Sequence, residues 1–196
     1  MTRGRPRAFD RDTALGRAVD LFWRRGYQDV SISALAEAMG IGSASLYAAF
    51  RSKADLFREA ADRYQAHDAS RPDRELTSGT TARAAIEGWL RANADLFTRR
   101  NGPRGCLLTR AATSCPHDEP DIQRYLDASC RARLHAVERR LRRGLDAGER
   151  LPAAPADFAQ LLDTVLQGMA VRAVEGASRS ALHATIDLAL ASWLPE

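Results

Sequence analysis

The sequence predicts an all-α protein of about nine helices, with a small N-terminal three-helix domain and a larger C-terminal helical domain. Three observations predict it. All eight prolines (Pro6, Pro72, Pro103, Pro116, Pro120, Pro152, Pro155 and Pro195) fall between segments of helical apolar spacing or in their first turns. Proline costs about 3 kcal/mol inside a helix, so this placement marks the periodic segments as helices. No segment sustains the period-2 alternation of a strand bounded by hairpin turns. The positive charge is also concentrated: residues 1–53 hold nine Arg/Lys against five Asp/Glu, whereas the remaining 143 residues hold twenty of each. A basic module on a neutral body is the electrostatic footprint of nucleic-acid binding.

The first helix is expected from about Asp10 to Arg25, with Leu15, Ala18, Val19 and Phe22 on one face and Gly26 as its C-terminal cap. A second follows from about Ser33 to Met39, a glycine turn at Gly40, and a short third helix from about Ser43 to Phe50. Ala36, Met39, Ile41, Leu46 and Phe50 form a miniature core. Helices this short are marginal alone, so packing against the first helix must hold them. The fourth runs from near Lys53 to about His67, and the polar stretch Asp68 to Thr81 reads as the joint between domains. Five more helices are expected over about Ala82–Arg100, Gly105–Thr113, Glu119–Ala147, Ala156–Glu175 and Ser178–Leu194. The last two carry full apolar stripes: Phe158, Leu161, Leu162, Val165, Leu166 and Met169, then Leu182, Ile186, Leu190 and Trp193.

Several function classes find no support. With 45% hydrophobic residues a packed core is expected and disorder is not. No apolar run reaches the roughly 18 residues of a membrane span. Asp10, Arg11 and Asp12 stand where a signal peptide needs an apolar stretch, so a cytoplasmic location is expected. No hydrolase, zincin or phosphate-loop pattern occurs, so no enzyme is expected. Cys106, Cys115 and Cys130 lack metal-site spacing and read as free thiols, and neither metal nor cofactor is expected. His117 in the loop from Pro116 to Pro120 reads as an exposed histidine.

The stretch from Gly26 to Lys53, GYQDVSISALAEAMGIGSASLYAAFRSK, is two short helices joined by a tight glycine turn, a helix-turn-helix. It resembles the tetracycline-repressor (TetR) family. The resemblance rests on Gly26–Tyr27, Ser31–Ile32, Ala36, Gly40–Ile41, Leu46–Tyr47, Phe50 and Lys53. It implies that Ser31, Tyr47 and Lys53 contact DNA phosphates, and Lys53 is the only lysine beside 28 arginines. Ser43, Ala44 and Ser45 occupy the base-facing start of the recognition helix, without the Arg, Lys, Asn or Gln that makes bidentate base contacts. Readout there is expected from serine hydroxyls, from Ala44 against a thymine methyl and from DNA shape. Arg3, Arg5 and Arg7 form a basic arm suited to the minor groove, or equally a weakly attracted tail.

The resemblance further implies a DNA-binding domain over 1–53 and an effector-binding and dimerisation domain over 54–196, with a connecting helix over 54–67. Its expected partners are double-stranded operator DNA, a small-molecule effector and a second copy of the chain, and repression is the expected outcome. Candidates for the effector pocket are Trp89, Phe97, Cys106, Leu107, Arg110, Tyr125 and Phe158. Candidates for the dimer interface are Leu162, Leu166, Met169, Leu182, Ile186 and Trp193. Two other readings keep the DNA-binding head: a redox or electrophile sensor acting through Cys106, and a nonspecific architectural DNA binder.

Overall fold

The computed structural model describes residues 9–115 and 119–193. Arg3, Arg5, Arg7 and His117 lie outside the described residues. Within them the protein is entirely helical: α1 (Arg11–Arg25), α2 (Ile32–Met39), α3 (Ser43–Phe50), α4 (Lys53–His67), α5 (Ser70–Ser78), α6 (Ala82–Phe97), α7 (Leu107–Ser114), α8 (Pro120–Asp146), α9 (Pro155–Val174) and α10 (Arg179–Ala189). Caps set several starts. Asp10 accepts the Asp12 N–H before α1, Ser52 accepts that of Asp55 before α4, and Thr81 accepts that of Ala84 before α6. Proline opens α8 and α9, where its missing N–H costs nothing.

Ten helices are seen among the described residues where nine were expected. The extra one, α5, lies in the stretch read as a joint. Only Pro72 and Leu76 of its nine residues are buried, so its apolar signal is two residues deep. Pro72 is tolerated because it falls in the first turn. The chain turns there, but it turns by way of a helix packed along α6.

Two apolar cores hold the chain. One gathers Phe22, Trp23, Leu46, Phe50 and Phe57 from α1, α3 and α4, and extends to Leu107, Ala111, Ile122 and Leu126 of α7 and α8. The other joins α6, the C-terminal half of α8, α9 and α10 around Trp89, Phe97, Leu141, Phe158 and Trp193. The six residues expected at the dimer interface all belong to this second core. Leu162, Leu166, Met169, Leu182, Ile186 and Trp193 are between 0 and 5% exposed in the single chain. The stripes read as surplus are satisfied internally, because α6 and α8 cover α9, and α6 also covers α10. What α9 and α10 leave outside is a different face. On α9 it carries Leu161, 50% exposed, with half-buried Val165 and exposed Gly168 following in the helical register, and on α10 it carries Leu188, 78% exposed.

Candidate nucleic-acid interface and effector cavity

The head is built as the helix-turn-helix spacing requires. Ala36, Met39, Leu46 and Phe50 are buried beneath α2 and α3, with Ile41 half-buried against them. Gly40 takes the left-handed conformation (φ 71°, ψ 33°) that closes the turn. This packing leaves one face of α3 outward: Ser43, Ala44, Ser45, Tyr47 and Ala48 are exposed. The residue before α3 is Gly42, which offers no side-chain cap, so the first backbone N–H groups of α3 remain open to an acceptor.

Of the three expected phosphate contacts, Ser31 and Tyr47 are exposed and Lys53 is half-buried. The Ser31 hydroxyl caps α2 by accepting from the Ala34 N–H at 3.1 Å and also meets Ser33 Oγ at 2.8 Å. Lys53 opens α4, with Nζ 4.4 Å from the centre of the Tyr27 ring and donating to the Gln28 carbonyl at 3.4 Å. Partial desolvation lowers its pKa, against the opposing pull of Glu119 and Asp29. The pairing with Tyr27 explains the Gly26–Tyr27 motif physically. The ring is buried among Phe22 and Phe57, 6.2 and 5.2 Å away between centroids, and gives the ammonium a fixed seat.

One feature of the head had no sequence signal. Arg51, between α3 and α4, has φ 60° and ψ −53°. The Ser52 N–H donates to the Phe50 carbonyl at 2.6 Å across it. This is a γ-turn of the rare, strained hand, occupied by a residue whose type gives no hint of it. It sets the angle at which α4 leaves the recognition helix.

The head is fastened to the rest of the chain through the loop before α7. The Trp23 indole N–H of α1 donates to the Gly105 carbonyl at 2.8 Å, buried. Arg99 lies over the Trp23 ring at 4.1 Å and pairs with Asp68 at 2.7 Å. Arg110 Nη1 donates to the Arg24 carbonyl at 2.8 Å. Gly105 itself has φ +79°, and a Cβ there would meet Val174 Cγ2 at 2.7 Å and the Ala170 carbonyl oxygen at 2.8 Å.

Behind this loop lies a cavity of about 270 Å³ between α4, α5, α6, α8 and α9. Three of the residues proposed for the pocket, Trp89, Phe97 and Cys106, line it. The other four do not. Leu107 is fully buried in the first core. Arg110 faces a separate crevice of about 280 Å³ between the end of α1, α7 and α9, which Cys106 also borders. Tyr125 donates to Asp62 at 2.7 Å outside the cavity, and Phe158 packs edge-on to Trp193 with ring centres 5.1 Å apart. Leu166, expected between subunits, is instead a cavity wall. Sequence reasoning missed Tyr64, Asn93, Ser129 and Arg133, because they come from three helices, α4, α6 and α8, and only the packing brings them together.

Cys106 is the N-cap of α7 and half-buried, and its sulfur accepts the Tyr64 hydroxyl at 3.6 Å. The neighbouring arginine does not serve the thiol. Arg104 donates to the carbonyls of Ala173 and Ala177, at 2.7 and 2.5 Å, and so pins the loop to the end of α9.

A sequence profile described as "Bacterial regulatory proteins, tetR family" matches residues 14–60. The chain is 33% identical to the HTH-type transcriptional repressor ComR of Escherichia coli (strain K12) over 194 residues, spanning 98% of this chain and 92% of that protein. It is 29% identical to the HTH-type transcriptional repressor BdcR of the same organism over 188 residues, spanning 95% and 90%. Among solved structures it is similar to a cysteine-substituted form of the TetR family transcriptional regulator CifR in complex with 26-base-pair double-strand operator DNA. The TM-score there is 0.91 at 38% identity, covering 97% of this chain and 100% of that one.

Proposed function

The chain belongs to the TetR family of bacterial transcriptional regulators, and from that premise we propose that it is a homodimeric repressor released from a palindromic operator by a small molecule. The observation that carries the reading is the outward face of α3, with its uncapped N-terminus and exposed Ser43, Ala44, Ser45 and Tyr47. The α3 N-terminus and the serine hydroxyls suit a major groove, and the Lys53 ammonium suits the phosphates beside it. The operator complex of the CifR relative supports the same reading. The domain division follows: residues 1–53 read DNA, and 54–196 dimerise and sense. The basic arm of Arg3, Arg5 and Arg7 belongs with the head, as a further groove contact.

Dimerisation is assigned to the outer face of α9 and α10, around Leu161, Val165, Gly168 and Leu188, because the inner face is already covered. The cavity lined by Trp89, Phe97 and Cys106 is the effector site. Filling it moves the loop that holds Gly105 against Trp23, and with it α1. Ligand then favours a dimer whose recognition helices no longer match two half-sites about 34–36 Å apart. Sensing by the Cys106 thiol alone is the weaker reading, since the cation beside it is engaged elsewhere.

DNA-binding titrations on the protein's own promoter fragment test the head. Lys53→Ala should weaken binding to every sequence and reduce the slope of log affinity against log salt by about one unit. Ser45→Ala should instead change the ranking among operator variants. An unchanged salt slope for Lys53→Ala would remove that lysine from the phosphate contacts.

A further inference from the structure

The cavity's polar groups carry information about what it accepts. Its walls are mostly apolar, with Trp89, Phe97 and the Tyr64 ring supplying aromatic surface. An apolar cavity of about 150 Å³ holds a benzene ring. One of about 270 Å³ therefore has room for a ring with a short substituent.

The charges around it are unequal. Arg133 is the cation on the wall, and Asp163 neutralises it. Arg133 Nε donates to Asp163 Oδ1 at 2.6 Å, and Gln167 holds the second oxygen of that carboxylate at 2.6 Å. Asp73, at the cavity rim on α5, has no hydrogen-bond or ion-pair partner for its carboxylate among the described residues. Loss of solvent raises its pKa, although Arg133 pulls the other way. The residue as a whole remains open to solvent, so this partial desolvation reflects crowding at the cavity edge.

Deeper in, Asn93 is only 7% exposed. Its Nδ2 donates to the Trp89 carbonyl at 2.9 Å, and its Oδ1 has no donor among the described residues. That oxygen lies on the cavity lining and is an acceptor open to a ligand N–H. Two acceptors thus stand open on the lining, one neutral and one anionic, and the one cation among the described lining residues is paired with Asp163.

We propose that this cavity selects a small protonated amine bearing a single ring, its N–H groups donating to Asn93 Oδ1 and its charge balanced by Asp73. The inference rests on reading the cavity as the effector site. An organic acid of the same size would set its carboxylate against Asp73 and would leave Asn93 without a donor.

Three probes with one carbon frame separate the alternatives: phenethylamine, phenethyl alcohol and phenylacetate. Calorimetry on the intact dimer should rank them amine, alcohol, acid in falling affinity. Asp73→Asn should lower amine affinity by about tenfold and leave the alcohol nearly unchanged, as for a hydrogen bond to a charged group. Asn93→Ala should weaken amine and alcohol alike. Ala132→Trp, which fills the cavity, should abolish binding of all three, and this places the probes in this site. Phenylacetate binding as tightly as phenethylamine would overturn the proposal, as would an unchanged amine affinity in Asp73→Asn or no binding by any probe. Operator affinity, measured in the same samples, reads the effector role separately. An amine that binds with the expected ranking yet leaves DNA binding unaltered sustains the ligand class and refutes release through this cavity.

Discussion

Leu188→Arg is expected to convert the protein into a folded monomer whose operator affinity is lower by a factor of about 10²–10⁴, because two linked half-site contacts become independent. Among the described residues Leu188 is the most exposed large apolar side chain, at 78%, so a charge there leaves the interior of one chain undisturbed. On the proposed dimer face the same charge would be buried without a counter-ion, a cost of several kcal/mol. Leu161→Arg, at a site 50% exposed, should act in the same direction. Sedimentation velocity reads the assembly state, circular dichroism the fold, and fluorescence anisotropy the operator affinity. Persistence of the dimer in both variants would move the interface to another surface. The contrast with Leu166→Arg or Leu182→Arg is instructive. Those sites are 5% and 2% exposed in the single chain, so a charge there should unfold the C-terminal domain and reveal nothing about assembly.

The second large effect is expected at Gly105. Gly105→Ala should cost about 2–4 kcal/mol, the sum of an unfavourable positive φ and an overpacked contact. The added Cβ would lie 2.7 Å from Val174 Cγ2 and 2.8 Å from the Ala170 oxygen, and one of these atoms is backbone near the C-terminal end of α9. Relief requires the loop to move, and the Trp23 indole then loses its acceptor. The thermal midpoint should fall by roughly 5–15 °C for a chain of this size. Gly148→Ala is the control. Its φ is +90° but no atom lies within 4 Å of the new Cβ, so only the backbone cost of about 1 kcal/mol applies. Equal losses for the two variants would show that the contact beneath Gly105 yields freely. A further loss of operator affinity in Gly105→Ala, measured where the protein is fully folded, would show that the loop positions the head.

The helix-turn-helix was legible because its signals are local. Glycines end α1 and α2, a Ser-capped start opens α2, and the apolar residues recur within fewer than thirty positions. The long helices were legible for the same reason, since each announces its own stripe. What lay beyond reach was the pairing of stripes. An apolar face shows that something covers it, but not whether the cover is the same chain or another. For Leu162 and Ile186 it is the same chain, and the outer face is marked only by scattered Leu161, Val165 and Leu188. The cavity was half legible. Aromatic residues on α6 were plausible walls from type alone, whereas Arg133, Asn93 and Asp73 gain meaning only from their neighbours. Helix α5 was hidden because two apolar residues among polar ones look like a loop.

The first core bears on how portable the reading head is. Phe22, Trp23 and Phe57 share that core with Leu107 and Ala111 of α7 and with Ile122 and Leu126 of α8. A fragment cut after α3 would strip this apolar surface bare and forfeit the Trp23 bond to Gly105. Grafting the head onto another sensor, to build a regulator with new input and old operator, therefore calls for a seam that follows the packing and not the chain. The transplanted unit would be α1 to α4 together with α7 and the opening turns of α8, three separate crossings of the backbone. A chimera joined at the single covalent boundary would inherit the operator-facing residues without the support that orients them.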